Sequence, residues 1–160
     1  MLEIYAPIVR ETSISFELEP PAAEAFAARV AAALERHAWV VAAGRDGRLL
    51  GYAYAGPWRS RPAYRWSVEV AIYVRDGARG KGLGRSLYRI LFERLRSRGY
   101  VTAVAGITLP NPGSVAFHEA CGFRSAGVVP RAGYKHARWS DVGFWYASLR
   151  EPEDPPREPL

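Results

Sequence analysis

The run R-G-K-G-L-G-R, from Arg79 to Arg85, contains residues suited to binding a phosphate. A glycine-rich turn that leads from a strand into a helix leaves backbone N–H groups unpaired at the positive end of the helix dipole. The spacing is not the G-x-G-x-x-G of a dinucleotide-binding fold, and Lys81 is followed by Gly82 rather than by the Ser or Thr of a P-loop. The glycines alone therefore indicate either a phosphate site or a flexible loop with a solvated basic edge.

A second candidate for chemistry is Glu69, which lies in the run Y-R-W-S-V-E-V-A-I-Y-V. Alternating residues in this run predict a long strand with Glu69 on the face opposite Val68. A partly buried carboxylate there would have a raised pKa and could accept a proton through a water molecule. On the residues alone, the favoured interpretation is a solvated strand residue or a partner for Arg65 or Arg61.

Helical and strand patterns alternate along the chain, which predicts an α/β fold. The Ala-rich segment A-A-E-A-F-A-A-R-V-A-A-A-L-E-R predicts a helix, and two β-rich runs flanking Asp46 and Gly47 predict a hairpin. A leucine stripe predicts a helix from Leu83 to Arg98 that ends at Gly99, followed by a buried strand. A short helix after Asn111 and a final strand V-G-F-W-Y-A-S-L complete the pattern.

Length and composition favour one domain over residues 1–149. The chain has 160 residues, 49% of them apolar, which is enough for one sizeable core. Residues 150–160, R-E-P-E-D-P-P-R-E-P-L, are rich in proline and charge and are predicted to be disordered. No apolar run approaches the ~20 residues that span a bilayer, and no signal-peptide pattern is present, so we expect a cytoplasmic protein without a membrane partner.

Cysteine and histidine usage argues against a metal site. Cys121 is the single cysteine, which excludes disulfides and cysteine clusters, and His37, His118 and His136 lack metal-ligand spacing. The formal net charge of +6 suits an anionic partner, of which nucleic acid is one kind.

The order of these segments resembles the acetyl-CoA-binding core of the GNAT N-acetyltransferases, whose pyrophosphate loop reads Q/R-x-x-G-x-G/A. The residues from Arg79 to Gly84 match every fixed position. Over residues 1–149 the chain further resembles the phosphinothricin (methionine sulfoximine) acetyltransferase branch, in the segments I-Y-A-P-I-V-R-E-T-S-I-S-F-E, G-Y-A-Y-A-G-P-W-R-S-R-P-A-Y-R-W-S-V-E, L-P-N-P-G-S-V-A-F-H-E and Y-K-H-A-R-W-S-D-V-G-F-W.

The resemblance implies a twisted, mostly antiparallel mixed sheet flanked by helices, and a homodimer. It also implies transfer of acetyl from acetyl-CoA to the α-amino group of phosphinothricin, methionine sulfoximine or a similar amino acid. Two features depart from the family: we expect its usual first strand to be missing before the segment that begins at Ile4, and Ala137 stands where glycine is common.

The resemblance also assigns roles to individual residues. Glu69 would be the general base, and His118 would protonate the leaving thiolate, unless it is a packed residue. The strand would splay at Ile72, Tyr73 and Val74 so that their backbone groups meet the thioester and pantetheine arm. The Val74 N–H would be the oxyanion donor, an arrangement that fits a β-bulge. The pyrophosphate loop would comprise Arg79, Gly80, Lys81, Gly82, Leu83, Gly84 and Arg85.

Asn111 would bind the pantetheine arm, or would simply cap a helix. The acceptor would contact Arg61, Tyr64, Glu69 and His136, because a guanidinium and a phenol suit its acidic groups. Arg61 as a solvated loop charge and His136 as a turn residue are the alternatives.

Two other functions are weighed against this one. An acetyltransferase acting on protein or peptide amines shares the loop, but the basic residues Arg59, Arg61 and Arg65 disfavour its groove. A non-catalytic module for nucleotides or nucleic acid would spread basic and aromatic residues over one face, whereas here the charges cluster at the loop. We therefore expect acetyl-CoA and a small amine as partners, and no nucleic acid.

Overall fold

The chain folds into six strands and four α-helices, and the computed structural model describes all of it, residues 1–160. The strands are β1 (Trp39–Ala43), β2 (Leu49–Pro57), β3 (Ser67–Val74), β4 (Thr102–Leu109), β5 (Arg124–Lys135) and β6 (Arg138–Ser148). The helices are α1 (Leu2–Glu11), α2 (Ala23–Arg36), α3 (Leu83–Ser97) and α4 (Pro112–Ala120), with a 3-10 turn over Pro62–Tyr64. The predicted α/β class is confirmed.

One mixed sheet joins all six strands in the order β1-β2-β3-β4-β6-β5. Only β3 and β4 run parallel, and the other neighbours are antiparallel. The predicted hairpin is β1–β2, and Gly47 in its turn has φ +78°, a conformation that favours glycine. β1 and β5 are the edge strands.

The two sheet faces carry different side chains. On the α3 face, which α3 and α4 cover, Val68 and Val70 pack with the leucine stripe of α3 in a core of 19 buried residues. On the Glu69 face, which α1 and α2 cover in part, six buried residues form a smaller, largely aromatic cluster: Ile4, Tyr5, Val9, Phe26, Trp39 and Tyr52. Because side chains alternate along a strand, Glu69 lies opposite Val68, as predicted.

β3 and β4 separate soon after they begin to pair. Their ladder contains three residue pairs, from Ser67 with Thr102 to Glu69 with Val104. β3 continues to Val74 beside β2, whereas β4 continues to Leu109 beside β6. The sheet therefore opens between β3 and β4 immediately beyond Glu69.

Sequence patterns did not predict α1 or β5. α1 contains Pro7, yet it buries Ile4, Tyr5, Ile8 and Val9 against the sheet. β5 is exposed along most of its length and pairs with β6 through two register shifts, so it lacks the burial alternation of an ordinary strand. Both elements are stabilised by tertiary contacts that local periodicity does not encode.

The C-terminal tail has no helix or strand, but its last residues contact the body of the protein. Arg65 forms an ion pair with Glu158, and the Leu160 N–H donates to the carbonyl of Arg98. The indole of Trp66 donates to the Arg157 carbonyl at 2.7 Å. Disorder of residues 150–160 stays a prediction, and these contacts define where the tail lies when it is bound.

Candidate active site

Glu69 occupies the floor of an open region on the Glu69 face. Its side chain is exposed to solvent, although the protein atoms around it displace part of its water. This desolvation raises the pKa of Glu69 above its ordinary value, and the positive charge of Arg59 opposes the shift. A carboxylate with a raised pKa and access to solvent can accept a proton at moderate pH.

The backbone of β3 beyond Glu69 directs N–H groups into the gap between β3 and β4. The Arg75 N–H donates to the Leu50 carbonyl of β2 at 2.8 Å. Successive N–H groups point to opposite sides of a strand, so those of Val74 and Ile72 point away from β2 and toward β4. Since β4 no longer pairs there, these N–H groups are available to a ligand.

The β-bulge expected in β3 is not present. The β2–β3 ladder runs without a register shift from Gly51 opposite Val74 to Pro57 opposite Val68. The departure of β4, rather than an extra residue in β3, therefore frees the backbone groups of Ile72 and Val74. Tyr73 lies on the Glu69 face, where its ring packs edge-on against Tyr5 at 5.0 Å.

The glycine-rich loop joins β3 to α3 and has the backbone geometry of an anion cradle. Gly80 and Gly82 have φ of +73° and +78°, and an added Cβ at either would meet no protein atom within 4 Å. Gly82 is the N-cap of α3, and no side chain caps the helix. The first N–H groups of α3 thus face open space at the positive end of its dipole.

Basic side chains surround this loop. Lys81 Nζ donates to the Gly77 carbonyl at 2.9 Å, and Arg79 Nε donates to the Val74 carbonyl at 3.2 Å. Arg79 also pairs with Asp76, and Arg85 is exposed on the first turn of α3. All three cations are mobile enough, as exposed side chains, to turn toward a bound phosphate.

Two residues of the predicted loop pack inside the protein instead. Leu83 packs against the larger core. A Cβ on Gly84 would lie 2.8 Å from Phe117 Cε2 of α4, so this glycine lets the start of α3 approach α4 closely. The side chain of Leu83 and the lack of one at Gly84 thus serve the packing of the fold. The N–H groups of both residues still belong to the uncapped start of the helix.

Asn111 and His136 line one groove of about 610 Å³ at the C-terminal end of β4, together with the loop after α1. Asn111 caps α4 by accepting a hydrogen bond from the Ser114 N–H at 3.1 Å. His136 and Ala137 form the β5–β6 turn with φ of +50° and +58°. The capping and turn roles considered for these residues are thus both present, and both side chains still border the groove.

Arg61 and Tyr64 line a different groove, of about 550 Å³, at the N-terminal end of β3. The C-terminal residues Glu158 to Leu160 form part of its wall. Glu69 borders neither groove. Arg59 connects this second groove with Glu69, because it lines the groove and its charge lowers the pKa of Glu69.

His118 lies in the core rather than in a groove. Its side chain is 5% exposed and packs among Tyr88, Phe117 and Phe123. Nδ1 donates to the Ser114 carbonyl at 2.8 Å, so Nε2 accepts from the Tyr88 hydroxyl at 2.9 Å. Burial lowers the pKa of His118. This neutral, fully paired imidazole fits the packed-residue interpretation and argues against the predicted proton donor.

Lys135 is a residue whose importance the sequence did not reveal. Its side chain is 4% exposed, and Nζ donates to the carbonyls of Val9 at 2.6 Å and Ser15 at 2.7 Å. Desolvation lowers the pKa of Lys135. The ammonium group ties the loop after α1 to β5 and so shapes the groove beside His136.

No helix combines the length and the apolar composition needed to span a bilayer. No three His, Cys, Asp or Glu side chains are grouped so that they could hold a metal ion.

Comparison with known proteins identifies the family. The model of the acetyltransferase (GNAT) family matches residues 3–123. The chain belongs to the GNAT acetyltransferase family. Phosphinothricin N-acetyltransferase of Streptomyces viridochromogenes is 39% identical over 147 residues, which cover 92% of this chain and 80% of that one. The L-methionine sulfoximine/L-methionine sulfone acetyltransferase of Pseudomonas aeruginosa is 42% identical over 110 residues, covering 69% of this chain and 64% of that one.

Solved GNAT structures share the fold closely. A phosphinothricin acetyltransferase from Sinorhizobium meliloti, in complex with acetyl-CoA, superposes with a TM-score of 0.90 at 36% identity, over 99% of this chain and 85% of that one. The yncA protein of Salmonella typhimurium, solved with its cofactor acetyl-CoA, gives a TM-score of 0.89 at 33% identity, over 95% and 88%. The GNAT fold predicted from the sequence is confirmed.

Proposed function

We propose that this protein transfers an acetyl group from acetyl-CoA to the α-amino group of a small amino acid of the phosphinothricin or methionine sulfoximine type. The observation that carries the proposal is the opening between β3 and β4, with Glu69 at its closed end and the uncapped start of α3 nearby. The names of the relatives and the two structures solved with acetyl-CoA support the substrate classes.

Backbone groups and glycines along the opening suit an elongated, phosphate-bearing molecule. When bound, acetyl-CoA supplies the acetyl group as a reactive thioester. The N–H groups at the start of α3, with Arg79, Lys81 and Arg85, would hold its pyrophosphate. Asn111 would hydrogen-bond its pantetheine arm, and the Val74 N–H, directed into the gap, would donate to the carbonyl oxygen that gains negative charge.

Glu69 would remove a proton from the acceptor amine, directly or through a water molecule. Its raised pKa brings the carboxylate closer to the amine in proton affinity, which makes it a better base than an ordinary glutamate. His118 has no part in this scheme because both ring nitrogens are occupied within the core.

The acceptor's acidic groups would be bound on the side of β3 where basic residues cluster. Arg61 and Tyr64 border the groove at the start of β3, and Arg59 lies between that groove and Glu69. A guanidinium can bind a carboxylate or a phosphinate in two-pronged fashion. His136 would contribute from the β5–β6 turn on the opposite side.

The proposal includes a homodimer built on the exposed part of β5 and β6. Val128 and Val129 are about half exposed, and the rings of Tyr134 and Trp139 pack on each other at 5.2 Å while remaining accessible. Apolar side chains concentrated at a sheet edge suit contact with a second copy. Light scattering tests this directly, because a dimer has twice the 17.7 kDa mass of the chain.

A thiol-release assay tests the function. Purified protein with acetyl-CoA is offered phosphinothricin, methionine sulfoximine, methionine sulfone, other L-amino acids, polyamines and peptides with free N-termini. We expect turnover with the sulfone, sulfoximine or phosphinate compounds. Turnover confined to polyamines or peptides would contradict the acceptor assignment and leave only the wider acetyltransferase function.

The cofactor site is tested separately by Gly82→Val. Val at this position has both the wrong backbone preference and a side chain in the space proposed for phosphate. We expect acetyl-CoA binding to weaken at least tenfold, or ~1.4 kcal/mol. Gly122→Val is the control, because Gly122 also has a positive φ and open surroundings but lies at the end of α4. Equal affinities of the two variants would refute the pyrophosphate site.

A further inference from the structure

Glu69 is bordered on its own sheet face by two glycines, one in each neighbouring strand. Gly56 of β2 is its direct cross-strand partner. Gly106 of β4 lies two residues beyond Val104, the partner of Glu69 on the other side. Residues two apart in a strand share a face, so both glycines flank the carboxylate.

Neither glycine is required by the backbone. Seven glycines of this protein have positive φ, and Gly56 and Gly106 are not among them. Glycine inside a strand costs stability relative to residues with side chains, and it often marks a place where another molecule approaches the sheet closely. The missing side chains, rather than the backbone conformation, therefore distinguish these positions.

The space above the two glycines is real and lies beside the carboxylate. A Cβ on Gly106 would lie 3.5 Å from Glu69 Oε1 and 3.5 Å from Phe144 Cε1, which is ordinary contact without a clash. A Cβ on Gly56 would meet no protein atom within 4 Å. A methyl group at either position is thus compatible with the fold, but it would occupy volume that now adjoins Glu69.

Aromatic and cationic groups form the wall above this floor. Trp58 packs edge-on against Phe144 with 5.5 Å between ring centroids, and the Arg59 guanidinium lies 4.8 Å from the Trp58 ring centroid. Phe144 in turn borders Gly106. The region combines a bare floor, an apolar wall, a cation at the rim and a carboxylate at the centre.

We propose that Gly56 and Gly106 set the size of the acceptor, by forming a floor on which the carbon atoms next to the reacting amine lie. This inference rests on the proposed function and deepens it. The acceptor class that fits is a compact amino acid anion whose side chain packs along the floor and against Trp58 and Phe144, with an acidic group near Arg59. Gly106 is then a specificity-determining residue, because it limits how bulky a group can approach Glu69.

The test compares acceptors that differ only in side-chain length. Wild-type, Gly106→Ala and Gly56→Ala proteins are assayed with a series of L-amino acids, and acceptor and acetyl-CoA binding are measured by calorimetry. We expect Gly106→Ala to lower kcat/KM for the longest accepted acceptor by about tenfold or more, as a misplaced methylene does, and to spare the shortest. Acetyl-CoA binding should not change. Gly113→Ala is the control, because its Cβ meets nothing within 4 Å and it lies in α4.

Two results would overturn the proposal. An equal loss for long and short acceptors would mean that the space holds a water molecule needed in every turnover. If the ratio of kcat/KM for long and short acceptors in both glycine variants equals that of the wild type, the acceptor does not cross the floor. If the wild-type protein acetylates no amino acid, the proposed function fails, and the same length comparison on the amines that it does acetylate or bind still decides the role of the glycines.

Discussion

The two faces of the β3 strand have the same backbone and opposite surroundings. On the α3 face, Val68 and Val70 are buried in the larger core, beneath the helices. On the Glu69 face, the next residues along the strand border an aromatic cluster, two bare glycines and solvent. One strand thus anchors the fold with one set of side chains and presents a functional group with the other.

The difference shows how a small domain can hold a desolvated carboxylate. A partly desolvated charged group costs free energy, and the dense core behind the strand supplies the stability that tolerates this cost. Substitutions on the α3 face should therefore lower stability, whereas substitutions on the Glu69 face should reduce activity without lowering stability. Four predictions test that division.

The largest effect is expected on the α3 face. Leu91→Ala removes a side chain that is 0% exposed at the centre of the core, and should lower the free energy of unfolding by about 2 to 5 kcal/mol in denaturant titrations. Ile90→Ala is the matched control on the same helix, because Ile90 is 37% exposed and its loss should cost less than about 1 kcal/mol. Similar losses for both would contradict the one-sided core.

On the Glu69 face, Glu69→Gln should reduce kcat by roughly two orders of magnitude or more, with acetyl-CoA affinity near that of the wild type. The acid limb of the pH–rate profile should flatten. An acid limb that survives would assign the ionisation to another group.

Stability provides a second readout for the same variant. The folded chain raises the pKa of Glu69, so it binds this proton more tightly than the unfolded chain does. The ionised carboxylate therefore destabilises the fold above its ordinary pKa. Glu69→Gln should be as stable as the wild type at low pH, and more stable once the pH has risen through the raised pKa. Lower stability of the variant at neutral pH would contradict the desolvation.

Arg59 and Arg61 sharpen the comparison, because they lie in one segment but relate differently to Glu69. Arg61→Ala should raise the acceptor KM by a factor equivalent to about 1.5 to 3 kcal/mol of lost binding free energy. The acetyl-CoA KM should stay unchanged. Arg59→Ala removes a charge that lowers the pKa of Glu69, so its acid limb should move to higher pH. Identical pH profiles for the two variants would show that Arg59 does not act on the base.

The smallest effect is expected at the β5–β6 turn, beside the groove that His136 lines. Ala137 has φ +58°, which strains an alanine, so Ala137→Gly should stabilise the protein by about 0.5 to 1 kcal/mol. Ala32→Gly in α2 is the opposite control and should destabilise by about 1 kcal/mol. Destabilisation by both would mean that chain entropy outweighs the strain at the turn.

Local sequence patterns predicted what depends on local physics. Period-two alternation correctly assigned Glu69 and Val68 to opposite faces, and the leucine stripe and Gly99 correctly bounded α3. The positive φ at Ala137 fits the glycine that the family resemblance leads one to expect there. These features follow from side-chain periodicity and backbone sterics, which neighbouring residues determine.

Local sequence patterns did not predict features that depend on distant residues. The separation of β3 from β4 was expected from the family resemblance alone, because β4 follows β6 instead and no pattern within β3 signals it. The sequence alone suggests a surface position for Lys135, but α1 and the loop after it each bring one carbonyl, of Val9 and Ser15, to its ammonium group. His118 occupies the predicted helix, but only the packing of Tyr88 and Phe123 determines that its ring is buried. Roles that a family resemblance assigns to individual residues therefore have to be checked against their positions in the folded structure.

The early separation of β3 and β4 makes the sheet two antiparallel halves, β1-β2-β3 and β4-β6-β5, that share a seam of three residue pairs. A ligand seated along the open part of that seam, and hydrogen-bonded to both strands, would act as a seventh strand. Because such a ligand would bind the folded chain and not the unfolded one, its binding energy would add to the cohesion of the sheet and raise the stability of the whole domain.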